Sequence, residues 1–357
     1  MRLRVIDFGL VPALRSQAVY HGLAETIGPD SAPILSLASP ESPYVCIGMH
    51  QDLAKEVDEA FCAANGFPVW RRQVGGGAVY LDRNQLFTHF IYPREKAPEF
   101  AVNLYPLFIE PVVRTYRDYG IPASYRPVND IHVDGRKIGG TGAASIGEAT
   151  VMVGSFMLDF DTATMAKCLR VPSEKFRDKL RQTLDDYMTT MVKQLGAVPD
   201  RAELLGRFLG HCRDVLQVEP VLDQPTAAEW AAIEAAEARL ADPAWTRSRG
   251  GRLVAEGVKI SESAHLAEGA FKAPGGLIRA QLLIRDGAVA DLDITGDFTC
   301  LPAGGMVELA SALKGEALDA EGLAAAADTA IEALALDLPG VTGEHIAAAV
   351  MAAAGQA

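Results

Sequence analysis

Long apolar runs, paired cysteines and an excess of positive charge are all missing from this 357-residue chain. No segment comes near the ~18 consecutive apolar residues that a membrane helix needs. The N-terminal MRLRVIDFGL has basic residues but no long apolar stretch or small-residue cleavage site, so no signal peptide is expected. The five cysteines (Cys46, Cys62, Cys168, Cys212 and Cys300) form no CxxC pair and no close-spaced framework. That pattern points to reduced thiols and a cytoplasmic setting. A net charge of −13 argues against a general nucleic-acid binder, which would carry a basic face or stripe. The seven histidines show no metal-ligand spacing with cysteines or carboxylates. There is no GxxxxGK[ST] phosphate loop, and Gly140-Thr141-Gly142 is too short to signal a dinucleotide fold.

What is present suits a soluble globular protein of two domains: 49% apolar and 22% charged residues over a length beyond one typical domain. Strands are expected at 3–10, 33–37, 44–48, 67–71, 78–81, 86–92 and 150–159. Helices are expected at 11–27, 51–65, 101–119, 161–169, 173–194 and 200–216, with Pro106 and Pro111 predicted to kink or interrupt the third. Alternating elements with hairpin-like pairs predict a mixed α/β (α+β) sheet rather than a regular parallel one. The stretch 217–226 has two prolines and reads as a linker. A helix follows at 227–241, then a hairpin of 276–285 and 288–295 joined at Asp286-Gly287, then an Ala- and Leu-rich helical region over 303–355. The expected division is a catalytic domain over 1–220, a linker and helix over 221–244, and a small α+β domain over 245–357.

Two stretches carry chemistry. In Arg71-Arg72-Gln73-Val74-Gly75-Gly76-Gly77-Ala78-Val79-Tyr80, two planar cations precede three residues whose backbone can approach a ligand closely. Alone, this reads equally well as a Gly-rich bend with a solvated arginine pair. In Asn129-Asp130-Ile131-His132-Val133-Asp134-Gly135-Arg136-Lys137-Ile138-Gly139-Gly140, a hairpin turn at Asp134-Gly135 delivers a basic pair into a second glycine cluster. Here the plain alternatives are a solvated strand lysine and an Asx turn at Asn129 and Asp130.

Together, in this order and spacing, the two stretches resemble the lipoate–protein ligase family of the biotin/lipoate ligase superfamily. The resemblance runs from about residue 30 to about 185, with a looser one over 245–340 to the small accessory domain of such ligases. It implies a mixed-sheet catalytic domain, ATP and Mg²⁺ as cofactors, lipoate as substrate and a lipoyl-carrier protein as partner. Lys137 then corresponds to the lysine that meets the substrate carboxylate and α-phosphate, and Arg72 to a contact with the adenylate or acyl carbonyl. Arg71, Gly75, Gly76, Gly77, Ala78, Asn129, Gly139 and Gly140 are the implied substrate and adenylate contacts, and Asp130 the implied Mg²⁺ ligand.

The chain also departs from the family pattern. Where YHDxGN is usual it has Tyr80-Leu81-Asp82-Arg83-Asn84-Gln85, and the HGTLL-type strand is Val153-Gly154-Ser155-Phe156-Met157. Both changes remove a histidine. Two alternatives therefore stand beside the ligase: an ATP-independent acyltransferase with Cys168 as nucleophile, and a lipoyl-binding module without turnover. His89 and His132 are assigned to packing.

Overall fold

The computed structural model describes residues 1–250, 259–261 and 264–355. The expected small domain at 245–357 thus includes residues (251–258, 262–263 and 356–357) that lie outside the described ones. The chain divides into two compact units, and neither is a single stretch of sequence. The first comprises 1–46, 57–72 and 79–245; the second comprises 47–56, 73–78 and 246–357.

The first unit is built on a six-stranded mixed sheet, in the order Gly142–Ile146, Ala149–Met157, Gln85–Pro93, Ile34–Pro40, Arg2–Val11, Glu219–Leu222. The first four strands pair antiparallel, and the last two additions are parallel. Gln85–Pro93 and Ile34–Pro40 are buried throughout, which explains their apolar runs. The 217–226 stretch differs from the expected linker: Glu219–Leu222 closes the sheet edge against Arg2–Val11. A strand of only four residues with a proline fits an edge position, where a donor can be spared.

The helix Ala101–Asp118 runs unbroken through Pro106 and Pro111. Its buried face, including Leu104, Phe108, Val112 and Tyr116, outweighs the two missing donors. The helix Ala227–Ala241 forms as expected, opened by a capping box of Thr226 and Glu229. It lies so close to the helix Ala13–Glu25 that a Cβ on Gly22 would come within 2.4 Å of the Ile233 Cα. Arg4 fastens the same helix through Glu229 at 2.5 Å and grips Asp223 at 2.7 Å.

The helix expected over 51–65 is split into Leu53–Glu56 and Glu59–Ala64. The break falls where the chain passes between units, and Asp58 caps the second piece by accepting from Phe61 N at 3.0 Å. The helix expected over 173–194 is likewise split, into Glu174–Tyr187 and Met191–Leu195. Between them Met188 forms a parallel bridge with Lys137, and Thr189 N donates to Lys137 O at 2.9 Å.

The second unit is an antiparallel sheet of Lys259–Ser261, Ala264–Ala273, Gly276–Arg285 and Ala288–Gly296. The helices Gly305–Ala312, Ala320–Ala333 and Gly343–Ala354 cover it. The expected Asp286-Gly287 turn is present, with both residues at positive φ. The alanine-rich tail packs closely where Gly269 leaves room for its backbone: a Cβ on Gly269 would lie 2.1 Å from the Ala353 N. Among the described residues no helix is long and apolar enough to cross a membrane.

Candidate functional site

The strands Asp130–Val133 and Arg136–Gly140 form the expected hairpin, with Asp134 and Gly135 at φ of 48° and 79° in the turn. The pairing slips between Ile131 and His132, so the register is bulged beside the functional residues. Lys137 Nζ lies 2.7 Å from Asp130 Oδ1, with the two side chains 27% and 22% exposed. Both side chains are thus within reach of a ligand. Gly140 gives the ammonium its room, since a Cβ there would fall 2.9 Å from Lys137 Nζ. Gly139 is buried against Ile131.

Asn129 is held by a reciprocal set of bonds. Its Nδ2 donates to Thr141 O, while Thr141 N and Oγ1 donate to Asn129 O at 2.9 and 2.8 Å. This fixes the entry of the Asp130 strand against the exit of the Lys137 strand. Asn129, Asp130, Lys137, Gly139 and Gly140 are therefore brought together on one hairpin.

Two residues outside the expected site join them: His132, which the sequence assigned to packing, and Tyr187, which it did not single out. His132 Nε2 is 3.6 Å from the other Asp130 oxygen, and Tyr187 OH is 3.4 Å from both that oxygen and His132 Nε2. The two rings meet edge to face, 5.6 Å between centroids. Burial, and then the Asp130 charge, push the Tyr187 phenol up, so it stays a neutral donor. His132 was legible in principle, as residues i and i+2 of a strand share a face. Tyr187 was not, because only the chain's return at Met188 brings it here.

The arginines also belong to the first unit, Arg71 at the end of the strand Val69–Arg71 and Arg72 directly after it. Arg71 is 1% exposed and exchanges bonds with Trp245: its Nε donates to Trp245 O at 3.3 Å, and Trp245 Nε1 donates to Arg71 O at 2.9 Å. Arg72 Nη1 donates to Cys46 O at 3.3 Å. Around it is a buried polar group in which Gln17 Nε2 donates to Tyr44 OH at 2.7 Å and the Ser36 hydroxyl meets His89 Nδ1 at 2.8 Å. Burial pulls both His21 and His89 down to about 3, with Arg239 and Arg72 adding to the effect on His21. Both imidazoles are neutral at ordinary pH.

Gly75, Gly76, Gly77 and Ala78 belong to the second unit. There the glycines admit backbone to backbone. A Cβ on Gly48 would lie 1.9 Å from Gly76 O, and one on Gly75 would lie 2.5 Å from Phe298 O. Gly76, at φ 89°, donates to Phe298 O at 3.4 Å, and Met49 N donates to Val74 O at 3.0 Å. A Cβ on Gly77 would meet Asp297 Cβ at 3.8 Å, an ordinary van der Waals contact.

The residues in place of the usual YHDxGN make a tight turn in the first unit. Asp82 accepts from Asn84 N at 2.8 Å, and Gln85 Oε1 accepts from Asp82 N at 2.6 Å. Leu81 is buried beside Tyr44 and Phe87.

Among the described residues no group of three or more His, Cys, Asp or Glu side chains is placed to hold a metal. Asp130 alone suits a cation that arrives with its own phosphate ligands, as Mg²⁺ does, and not one held by a protein cage.

Comparison with known proteins bears on this geometry. Lipoate-protein ligase LplJ of Bacillus subtilis is 31% identical over 159 residues, covering 42% of this chain and 47% of LplJ. Octanoyltransferase LipM of Kyrpidia tusciae is 28% identical over 196 residues, covering 48% of this chain and 70% of LipM. The chain thus spans about half the length of the first of these relatives. In fold it is similar to P. falciparum LipL1, crystallised with lipoate, at a TM-score of 0.66 and 14% identity, over 91% of this chain and 93% of LipL1. Residues 12–213 match the family model described as the lipoyl protein ligase A/B catalytic domain, and the chain belongs to that family.

Proposed function

We propose that the chain activates lipoate with MgATP to give lipoyl-AMP, then transfers the lipoyl group to a lysine of a lipoyl-carrier domain. The observation that carries this reading is the accessible Lys137–Asp130 pair on a glycine-flanked hairpin. In adenylation the acid's carboxylate attacks the α-phosphorus and pyrophosphate departs, so negative charge accumulates on oxygens that no nucleophilic side chain need touch. A positioned ammonium meets that demand, and Lys137 is the group assigned to it. Asp130 holds Lys137 in place before substrate binds and is assigned the cation that accompanies the phosphates. Asn129, Gly139 and Gly140 are assigned to the nucleotide, and Arg72 to the acyl or adenylate oxygens.

The relationship to LipM keeps a second reading in view, acyl transfer through a cysteine. Cys168 is a poor nucleophile for it. The side chain is 0% exposed, and the influence of Cys62, followed by burial, pushes the thiol far above its usual range.

Lipoate-dependent pyrophosphate release from MgATP, in wild type and Lys137→Ala, tests the proposal. Release that vanishes in the variant supports adenylation at this hairpin. A wild-type protein that releases none, yet moves an octanoyl or lipoyl group between carriers, would sink it in favour of transfer.

A further inference from the structure

Arg126 is a cation in the first unit to which neither the fold nor the adenylation reading has given a task. It ends the strand Ser124–Arg126, which pairs antiparallel with Asp130–Val133 on the side away from Arg136–Gly140. In that ladder Arg126 stands directly opposite Asp130, and Ser124 opposite His132. Residues directly opposite one another in an antiparallel ladder project from the same face, so Arg126 shares the face of Asp130. The strand is braced on both sides. Arg117 Nε donates to Ala123 O at 2.8 Å, and Tyr125 OH donates to Val128 O at 2.5 Å.

Opposite charges that face each other across a ladder ordinarily pair. Here they do not. Asp130 turns one oxygen to Lys137 Nζ at 2.7 Å, and the other accepts from Tyr187 OH at 3.4 Å. Among the described residues Arg126 forms no salt bridge, and His132 Nδ1 lies 3.5 Å from its Nη1. That nitrogen is also 3.2 Å from Gly135 O, so the contact occupies little of a guanidinium with five donors. Arg126 is exposed, in a chain with 46 acidic side chains against 33 lysines and arginines. A guanidinium that passes over the carboxylate opposite it, in so acidic a protein, is open to an anion from outside. Its planar fork suits phosphate oxygens.

We propose that Arg126 is a further substrate-binding residue that holds the β- and γ-phosphates of ATP, the group that leaves as pyrophosphate. This rests on the adenylation reading, in which that group departs. A carboxylate oxygen of the acid bonds to the α-phosphorus. The bond from the α-phosphorus to the oxygen bridging to the β-phosphorus breaks, and that oxygen keeps the electron pair. Charge therefore grows at two places, the α-phosphoryl oxygens and the leaving group. In strand order Lys137 lies on one side of Asp130 and Arg126 on the other. Lys137 serves the first charge and Arg126 the second.

The test is steady-state pyrophosphate release by the full chain, wild type against Arg126→Gln and Arg126→Lys. Arg126→Gln should raise the KM for MgATP by about tenfold and weaken inhibition by added pyrophosphate by a similar factor. The KM for lipoate and the melting temperature should stay as in wild type. Arg126→Lys keeps the charge but loses the fork, so it should recover part of both losses. An unchanged KM for MgATP with unchanged pyrophosphate inhibition would overturn the proposal, as would an equal rise in the KM values of both substrates. Calorimetric titration of inorganic pyrophosphate with Mg²⁺ separates that failure from failure of the adenylation reading. A wild type that releases no pyrophosphate, yet binds it about tenfold more tightly than Arg126→Gln does, would sink adenylation and keep the phosphate site. Equal affinity, or no binding by either protein, would sink the site.

Discussion

The Lys137 hairpin and the Gly75–Gly77 loop both carry glycine clusters, yet glycine does different work in each. At the hairpin, the missing Cβ of Gly140 makes room for the end of a flexible side chain, Lys137 Nζ. In the loop, the missing Cβ atoms of Gly48 and Gly75 make room for main-chain oxygens, those of Gly76 and Phe298. A side chain can swing aside and a packed backbone cannot. The first arrangement therefore governs where a charge sits, and the second whether a unit can close its core. A short glycine motif does not reveal which of the two it serves; only the partner atom does.

The contrast can be broken by measurement. Lys137→Ala removes the charge itself, and pyrophosphate release should fall by about a hundred- to a thousandfold with little change in melting temperature. If activity and stability fell together, the hairpin would be structural, as the loop is. Gly48→Ala should do the reverse of a site change, costing about 3 kcal/mol of unfolding free energy as its Cβ drives into Gly76 O. Calorimetry that showed an unchanged transition would remove the packing role claimed for the loop.

A third region sharpens the comparison, because it excludes the charge that the hairpin keeps. His21 and His89 are fully buried, with folded-state values near 3 against about 6.5 in the unfolded chain. The folded state favours the neutral ring, so stability is complete above pH ~6.5 and is lost as the pH falls from there towards 3. Each histidine should contribute a slope of about 1.4 kcal/mol per pH unit in that window. Denaturant titrations from pH 7 to 4 should show this, and His89→Gln should flatten the slope. The smallest effect belongs to Gly140→Ala. It should leave the melting temperature unchanged and lower turnover by about tenfold by displacing the ammonium. Equal stability losses from Gly140→Ala and Gly48→Ala would erase the distinction altogether.

The hairpin was readable because its signals are local. Asp134-Gly135 specifies the turn, and strand alternation places the residues on either side of it. The helix at 227–241 formed over the expected residues, and its Thr226 and Glu229 capping box is a local signal of the same kind. What escaped depends on distant chain. Nothing around Tyr187 announces a partner 57 residues away in sequence, and the helix expected over 173–194 breaks only because Met188 and Thr189 join the Lys137 strand. The continuous periodicity of 51–65 hid a break set by the passage from one unit to the other. Pro106 and Pro111 misled in the opposite direction, since tertiary burial of Ala101–Asp118 overrode a local rule.

The second unit recruits 47–56 and 73–78 from the front half of the chain. His50 stacks on Phe298 at 5.0 Å between centroids, Gly296 N donates to His50 O at 2.9 Å, and Lys55 pairs with Glu268 at 2.9 Å. During synthesis, then, these segments leave the ribosome long before the strands that receive them. Until that far end emerges, two early pieces of the protein wait without a fold of their own, and closing so long a loop slows assembly. A gene split near residue 245 would hand the shorter product a sheet lacking its own inserted segments. The two halves would have to find each other as translated partners before the second unit could form.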